Sequence, residues 1–383
     1  MRTIYFDYNA TTPLDPGVRD AMMPYLGEVF GNPSSVHHVG RRARSLLDDG
    51  RDRTAQVLRC KPSEVIFTSG GTESVNLAIF GGARTRKSKG KHLITSAIEH
   101  DAVLHSCQYI VKNEGFELTV LPVDSSGRVS VESVAKAMRA DTILVSIMAA
   151  NNEIGTIQPI SEIGKLCRER EILFHTDAVQ WFGKEPFDSI HQFNADLVSI
   201  CAHKFHGPKG AGILFARSPF LPDPIIFGGG HENERRAGTE NLAAIMGAVA
   251  AVERFVRQPV FDRNSLLPLK TRLETLVDGI EGAEYVGSRE KGLSNTVSFV
   301  VRNADSITLL AGLDLEGVCA SSGSACSAGS LEPSHVISAL GIEASLANSL
   351  VRLSLGREST AEEMEYLENV LPAVIERVRR RSR

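Results

Sequence analysis

The chain holds one tryptophan and six cysteines in 383 residues, and no apolar run approaches the roughly 18 residues that span a bilayer. It opens Met1-Arg2-Thr3-Ile4-Tyr5-Phe6-Asp7 with no apolar leader, so the expectation is a cytoplasmic protein with no membrane partner. The cysteines, at 60, 107, 167, 201, 319 and 326, form no Cys-x-x-Cys pair and no regular spacing, which fits reduced thiols better than a disulfide framework or a zinc site. His203 and His206 lie close together without further ligands near them in sequence, and no metal is expected. A formal net charge of -4 gives no strongly basic face, so direct nucleic-acid binding is not expected either. There is no internal repeat and no low-complexity stretch.

What is present is an ordinary globular composition, 42% hydrophobic and 23% charged, sufficient for one large core and a smaller second one. Seven short apolar or β-branched runs begin at Val65, His92, Leu118, Ile143, Ile172, Leu197 and Ala211, with helical patterns between them. Apolar strands alternating with helices predict an α/β fold whose mostly parallel seven-stranded sheet is covered by helices on both faces. Gln258-Pro259 breaks this texture, and a smaller α+β unit follows, with a helix over 265–279, a strand over 296–301 and a closing helix over 360–379. The predicted division is a large domain over 15–257 and a small one made of 1–14 and 258–383.

Three clusters follow predicted strands. Thr68-Ser69-Gly70-Gly71-Thr72-Glu73-Ser74 opens a helix, where free N–H groups and glycines suit an anion, although a plain capped turn looks similar. It lacks the Gly-Lys-Ser/Thr of a nucleotide P-loop. His175-Thr176-Asp177-Ala178-Val179-Gln180 puts a carboxylate at the carboxyl end of a strand, where open α/β sheets bind ligands and where a helix-capping aspartate also stands. Cys201-Ala202-His203-Lys204-Phe205-His206-Gly207-Pro208 carries a lysine that is either an exposed loop residue or a Schiff-base amine. An anion-binding turn, a strand-end aspartate and a strand-end lysine are together what pyridoxal 5'-phosphate requires: a phosphate site, a partner for the ring nitrogen and an amine for the aldehyde. Separately, Cys326 lies in Ser321-Ser322-Gly323-Ser324-Ala325-Cys326-Ser327-Ala328-Gly329, a run of small residues that suits a thiol kept for reactivity rather than packing.

With Tyr5-Phe6-Asp7-Tyr8-Asn9-Ala10-Thr11-Thr12, Gly31-Asn32-Pro33, Glu99-His100, Asn151-Asn152-Glu153 and Arg236-Ala237-Gly238-Thr239 added, these motifs run through the whole chain. In this order they resemble the class V aminotransferase-like, fold-type I pyridoxal-phosphate enzymes, and within them the group I cysteine desulfurases of the NifS/IscS kind. The resemblance implies that Lys204 binds the cofactor aldehyde, Asp177 pairs with the ring nitrogen, Gln180 meets the ring hydroxyl and His100 stacks on the ring. It implies phosphate contacts from Gly71, Thr72, Cys201 and His203. Thr239 would reach the phosphate of a partner subunit, hence a homodimer. Asn152 is implied beside both cofactor and substrate, and Arg352 as the fork for the substrate carboxylate, although a surface arginine at a strand end is also ordinary. Cys326, on a loop of about 320–331, would take the sulfur of L-cysteine as a persulfide and release L-alanine. The sulfur would pass to an acceptor protein, such as an iron-sulfur scaffold or a tRNA-thiolation relay.

Cys201 departs from the serine that relatives commonly carry, and a thiol is the weaker donor. Ser327 stands where many have threonine, and because the sequence ends soon after its last helix the expectation is that the longer acceptor-docking tail of some relatives is absent, which leaves the sulfur acceptor open. Three other readings stay open: a selenocysteine lyase, another pyridoxal-phosphate aminotransferase or lyase in which Cys326 is incidental, and a non-catalytic sulfur-relay scaffold.

Overall fold

The computed structural model describes residues 3–261, 263–323 and 333–381. Its strands are β1 (Ile4–Tyr5), β2 (Val65–Thr68), β3 (His92–Ser96), β4 (Glu117–Leu121), β5 (Thr142–Ser146), β6 (Leu173–Asp177), β7 (Leu197–Cys201), β8 (Gly212–Ala216), β9 (Ala283–Val286), β10 (Thr296–Val301), β11 (Val318–Cys319) and β12 (Val351–Ser354).

The seven strands β2 to β8 form one sheet in the order β2-β8-β7-β6-β5-β3-β4. All neighbours from β7 through β4 pair in parallel, while β8 runs antiparallel to both β2 and β7. The six strands other than β4 are buried at every position, so their sequences read as mostly apolar or small-residue runs, interrupted only by His92, His175 and Asp177. β4, at the sheet edge, mixes exposed and half-buried residues instead. The expected α/β architecture is therefore the observed one. The runs expected from Ile172 and Ala211 each start one residue later, because those two residues, though buried, belong to the preceding turns.

Helices cover the sheet through apolar stripes. In His38–Leu58 the buried residues Ala43, Leu47, Gly50, Thr54 and Leu58 recur every three or four positions, a single helical face. Helix Leu242–Phe255 is buried on nearly all sides, and both helices join the core that holds Phe67, Phe174 and Phe215.

A second core gathers Ile4, Phe6 and Tyr8 from the start of the chain with Phe261, Val297, Phe299, Leu353 and Leu371. Here β12, β10 and β9 make a three-stranded antiparallel sheet, and β1 pairs in parallel with β11. Between these cores the chain start passes along the carboxyl end of the large sheet: Thr12 N donates to His203 O and Asp15 N to His206 O, both at 3.0 Å. Among the described residues no helix is long and apolar enough to cross a membrane.

Candidate active site

Strand pairing brings distant clusters together. Thr68 at the end of β2 pairs with Gly212 on β8, and Gly212 pairs with Cys201 at the end of β7. The turn Gly70–Gly71 therefore lies beside Cys201. On the other side of β7, Ser199 pairs with Asp177 at the end of β6. A Cβ on Gly212 would lie 2.7 Å from Gly70 Cα, so this approach of two backbones requires glycine.

These strand ends open on a cavity of about 290 Å³ lined by Asn9, Gly71, Thr72, His100, Asn152, Asp177, Gln180, Cys201, His203, Lys204 and Arg352 among others. All the expected site residues but two are thus in one place. Thr239 is exposed and lines a separate cleft with Phe67, Ser69 and Arg236. Cys326 lies outside the described residues.

Lys204 Nζ donates to the carbonyls of Asn9 at 2.7 Å and Ala10 at 2.8 Å. Burial pushes its amine down to about 8, with the Arg352 cation adding to the effect against the pull of Cys201 and Asp177. It is not an exposed loop lysine. Burial raises the Asp177 carboxyl, while His100 and Lys204 draw it back, and Asp177 Oδ1 accepts from Val179 N at 3.0 Å. The turn-capping role and a place in the cavity wall coexist in that residue.

His100 is the N-cap of helix Asp101–Glu114, its Nδ1 accepting from Ala102 N at 3.0 Å. With Nδ1 an acceptor, Nε2 is the ring nitrogen left to donate. His203 Nδ1 meets Thr11 Oγ1 at 3.0 Å, and burial beside Lys204 pushes this imidazole down to about 4, so it is neutral at physiological pH. Burial raises the Cys201 thiol, while backbone N–H groups of Gly71 and His203 draw it back, and its Sγ also makes a long 4.0 Å contact to Ala211 O.

Arg352 is 1% exposed, against the surface-arginine reading. Its Nη2 donates to Asp7 Oδ1 at 2.7 Å and its Nη1 to Asn152 O at 2.9 Å, and among the described residues its buried Nε has no partner. The anion turn is braced as well: Glu73 pairs with Arg236 at 2.7 Å and accepts from Ser69 N at 3.0 Å.

Three participants were missed in the sequence. Asp7 orients Arg352; Asn9 joins the loop after β5 to β10, donating to Asn152 O and Thr296 Oγ1; and buried Lys184 donates to Asn9 Oδ1 at 2.7 Å. A fourth feature is a buried relay under the cavity, in which His175 bridges Ser146 Oγ at 2.8 Å and Ser199 Oγ at 3.0 Å. Burial pushes that ring down to about 3, so it serves as a neutral brace. Its only sequence signal was a histidine inside an apolar strand.

The donor set fits pyridoxal phosphate. A carboxylate, an amine and a neutral imidazole share one cavity with a helix start. The missing Cβ of Gly71 leaves space that a side chain would fill, 3.0 Å from Val179 Cγ2 and 3.4 Å from Cys201 Cβ.

The aminotransferase class-V family matches residues 4–367. The cysteine desulfurase IscS of Dictyoglomus turgidum is 47% identical over 99% of this chain and 96% of its own length. That of Methanosarcina thermophila is 44% identical over 100% of this chain and 94% of its own. Among solved structures, a NifS-like protein superposes with a TM-score of 0.90 at 37% identity, covering 98% of this chain and 100% of that one. SspA in complex with cysteine superposes at 0.82 with 36% identity, covering 94% of this chain and 100% of its own. The chain belongs to the aminotransferase class-V family and, within it, to the cysteine desulfurases of the NifS/IscS kind.

Proposed function

We propose that this cysteine desulfurase works with pyridoxal 5'-phosphate on Lys204, as a cytoplasmic homodimer that converts L-cysteine to L-alanine and passes the sulfur through Cys326 to an acceptor protein. The observation that carries the reading is the convergence of Lys204, Asp177, His100, the Gly71–Thr72 turn and Arg352 on one cavity. Full-length similarity to IscS enzymes and the cysteine complex of SspA support L-cysteine as substrate. Among the described residues no feature of the site favours a selenocysteine lyase or a scaffold.

The cofactor, when bound, draws electrons from the substrate α-carbon. The chain's residues do the rest. Asp177 would hold the ring nitrogen, Gln180 the ring oxygen and His100 the ring face, while Gly71, Thr72, Cys201 and His203 hold the phosphate. Arg352 and Asn152 would receive the substrate carboxylate. Lys204, with an amine lowered to about 8, is suited to remove the α-proton once displaced. The Cys326 thiolate would attack the substrate sulfur: an S–S bond forms and the Cβ–S bond breaks. The electron pair leaves with Cβ, which gains a proton and becomes the methyl of alanine, so no outside oxidant is needed.

The homodimer rests on Thr239, whose exposed position near the braced anion turn leaves it accessible to a second copy. The acceptor, an iron-sulfur scaffold or a tRNA-thiolation relay, is proposed from the family. The division into 15–257 against 1–14 with 258–383 is supported by the two main cores.

The test is incubation of the purified protein with cysteine, measuring alanine and sulfide, repeated with Cys326→Ser. The variant is expected to keep cofactor and bind cysteine but release no sulfide. Unchanged alanine formation in the variant would remove Cys326 from the mechanism.

A further inference from the structure

Lys184 is among the largest fully buried side chains of the protein, at 1% exposure, yet it does not line the cavity. Among the described residues its Nζ has two hydrogen-bond partners, Asn9 Oδ1 at 2.7 Å and Gln180 Oε1, and lies 5.6 Å from the centre of the Phe261 ring. The charged groups around it are Lys204, Arg352 and Glu185. A buried amine with few partners is costly, so its placement needs a reason.

The hydrogen bonds around it admit one arrangement. Asn9 Nδ2 donates to Asn152 O at 3.1 Å and to Thr296 Oγ1 at 2.8 Å, and a carbonyl can only accept. Asn9 Oδ1 must therefore face Lys184 Nζ and Asn295 Nδ2, the latter at 3.1 Å. Lys184 has a further N–H, which points at Gln180 Oε1. Gln180 Nε2 then donates one hydrogen to Asn9 O at 2.9 Å and keeps the other for the cavity that Gln180 lines. Turning the amide over would set two donors against each other at Lys184 and two acceptors against each other at Asn9 O.

We propose that Lys184 is a positioning residue, which by donating to Gln180 Oε1 fixes that amide with an N–H toward the ring oxygen of bound pyridoxal phosphate. Lys184 is not among the residues that line the cavity, so it acts through Gln180. Burial lowers its amine well below the usual lysine range, which limits the charge it adds beside Lys204 and Arg352. The inference rests on the cofactor reading above.

The experiment is a pH titration of the visible absorption band of the purified holoenzyme, compared among the unsubstituted chain, Lys184→Met, Gln180→Leu and the double variant. Without the N–H donor, the ring oxygen holds more negative charge and retains the neighbouring proton to higher pH. In Lys184→Met the midpoint should rise by about one pH unit, the size of one lost hydrogen bond to a charged oxygen. In the Gln180→Leu background the same substitution should add no further shift. A midpoint that ignores Lys184, or a shift that persists without Gln180, overturns the positioning role. A merely structural lysine would lower the unfolding temperature and leave the midpoint in place. If Lys184→Met does not fold, Lys184→Gln, which keeps amide donors, should hold the unsubstituted midpoint, and a shift as large as that of Gln180→Leu overturns the proposal. A purified protein that shows no band when pyridoxal phosphate is added overturns instead the reading beneath it.

Discussion

Arg352 Nη2 lies 2.7 Å from Asp7 Oδ1, a pairing across 345 residues that ties β12 to the first turn of the chain. The guanidinium is 1% exposed, so Asp7 is its described counter-charge. Removing one member of such a buried pair typically costs about 3–5 kcal/mol, because the other charge is left desolvated. Asp7→Asn should therefore lower stability by roughly 3 kcal/mol. It should also raise KM for cysteine more than it lowers kcat, since the fork loses its orientation rather than its charge. Denaturant unfolding and steady-state kinetics on one preparation check both halves.

The depressed amine of Lys204 sets a pH dependence for cofactor capture. Only the neutral amine attacks an aldehyde, and with a value of about 8 it is the minor form at pH 7 and the major one above pH 8. The rate of pyridoxal-phosphate uptake by the cofactor-free protein should rise from pH 6.5 upward and level off above about pH 8.5. An ordinary lysine would keep rising past pH 10. The sign for stability is the same. The unfolded lysine binds its proton up to about 10.4 and the folded one only to about 8, so this burial cost is full below pH 8 and disappears as pH rises through that window.

Asp177, Gln180 and Lys204 were legible because each follows an apolar run closely enough for local pattern to place it at a strand end. Asn9 and Lys184 were not. Asn9 sits between a tyrosine and an alanine with nothing local to distinguish it, and Lys184 stands in Gly183-Lys184-Glu185, which reads as a charged surface turn. Their roles come from contacts across 175 residues that only the crossing of the chain start over the sheet creates. The pairing of Thr68, Gly212 and Cys201 was hidden for the same reason, since register across β8 cannot be read from any one segment.

Cys201 makes the phosphate end of the cavity a place where one atom can be tested. Its Cβ lies 3.4 Å from where a Gly71 Cβ would be, and its sulfur meets the backbone N–H groups of Gly71 and His203 and, at 4.0 Å, Ala211 O. A hydroxyl in that position is a stronger donor to a phosphate oxygen. Cys201→Ser should therefore tighten pyridoxal-phosphate binding by roughly three- to tenfold, about 1 kcal/mol, with little change in stability. A fluorescence or absorbance titration of the cofactor-free protein reads the change. Equal affinity in the two proteins would mean that this position does not face the phosphate.

The segment that leads to Thr239 holds strain that a buried ion pair offsets. Glu232, Asn233 and Glu234 take φ of 49°, 55° and 64°, three successive non-glycine residues in the left-handed region, each costing about 1 kcal/mol. Glu232 receives Arg51 Nη1 at 2.8 Å and Nη2 at 2.5 Å and also accepts from Phe67 N at 2.9 Å, so the first of the three is fastened to β2. The segment continues into Arg236, which holds Glu73 at the anion turn. Two substitutions should act with opposite sign. Glu232→Gln leaves Arg51 buried with a neutral partner and should cost about 3 kcal/mol, and it should weaken cofactor binding by loosening Arg236. Glu234→Gly removes a left-handed penalty at an exposed position and should stabilise by up to about 1 kcal/mol, with cofactor affinity unchanged. Thermal unfolding and cofactor titration of both variants decide the matter: if Glu232→Gln is as stable as the unsubstituted protein, the ion pair does not hold the strained turn.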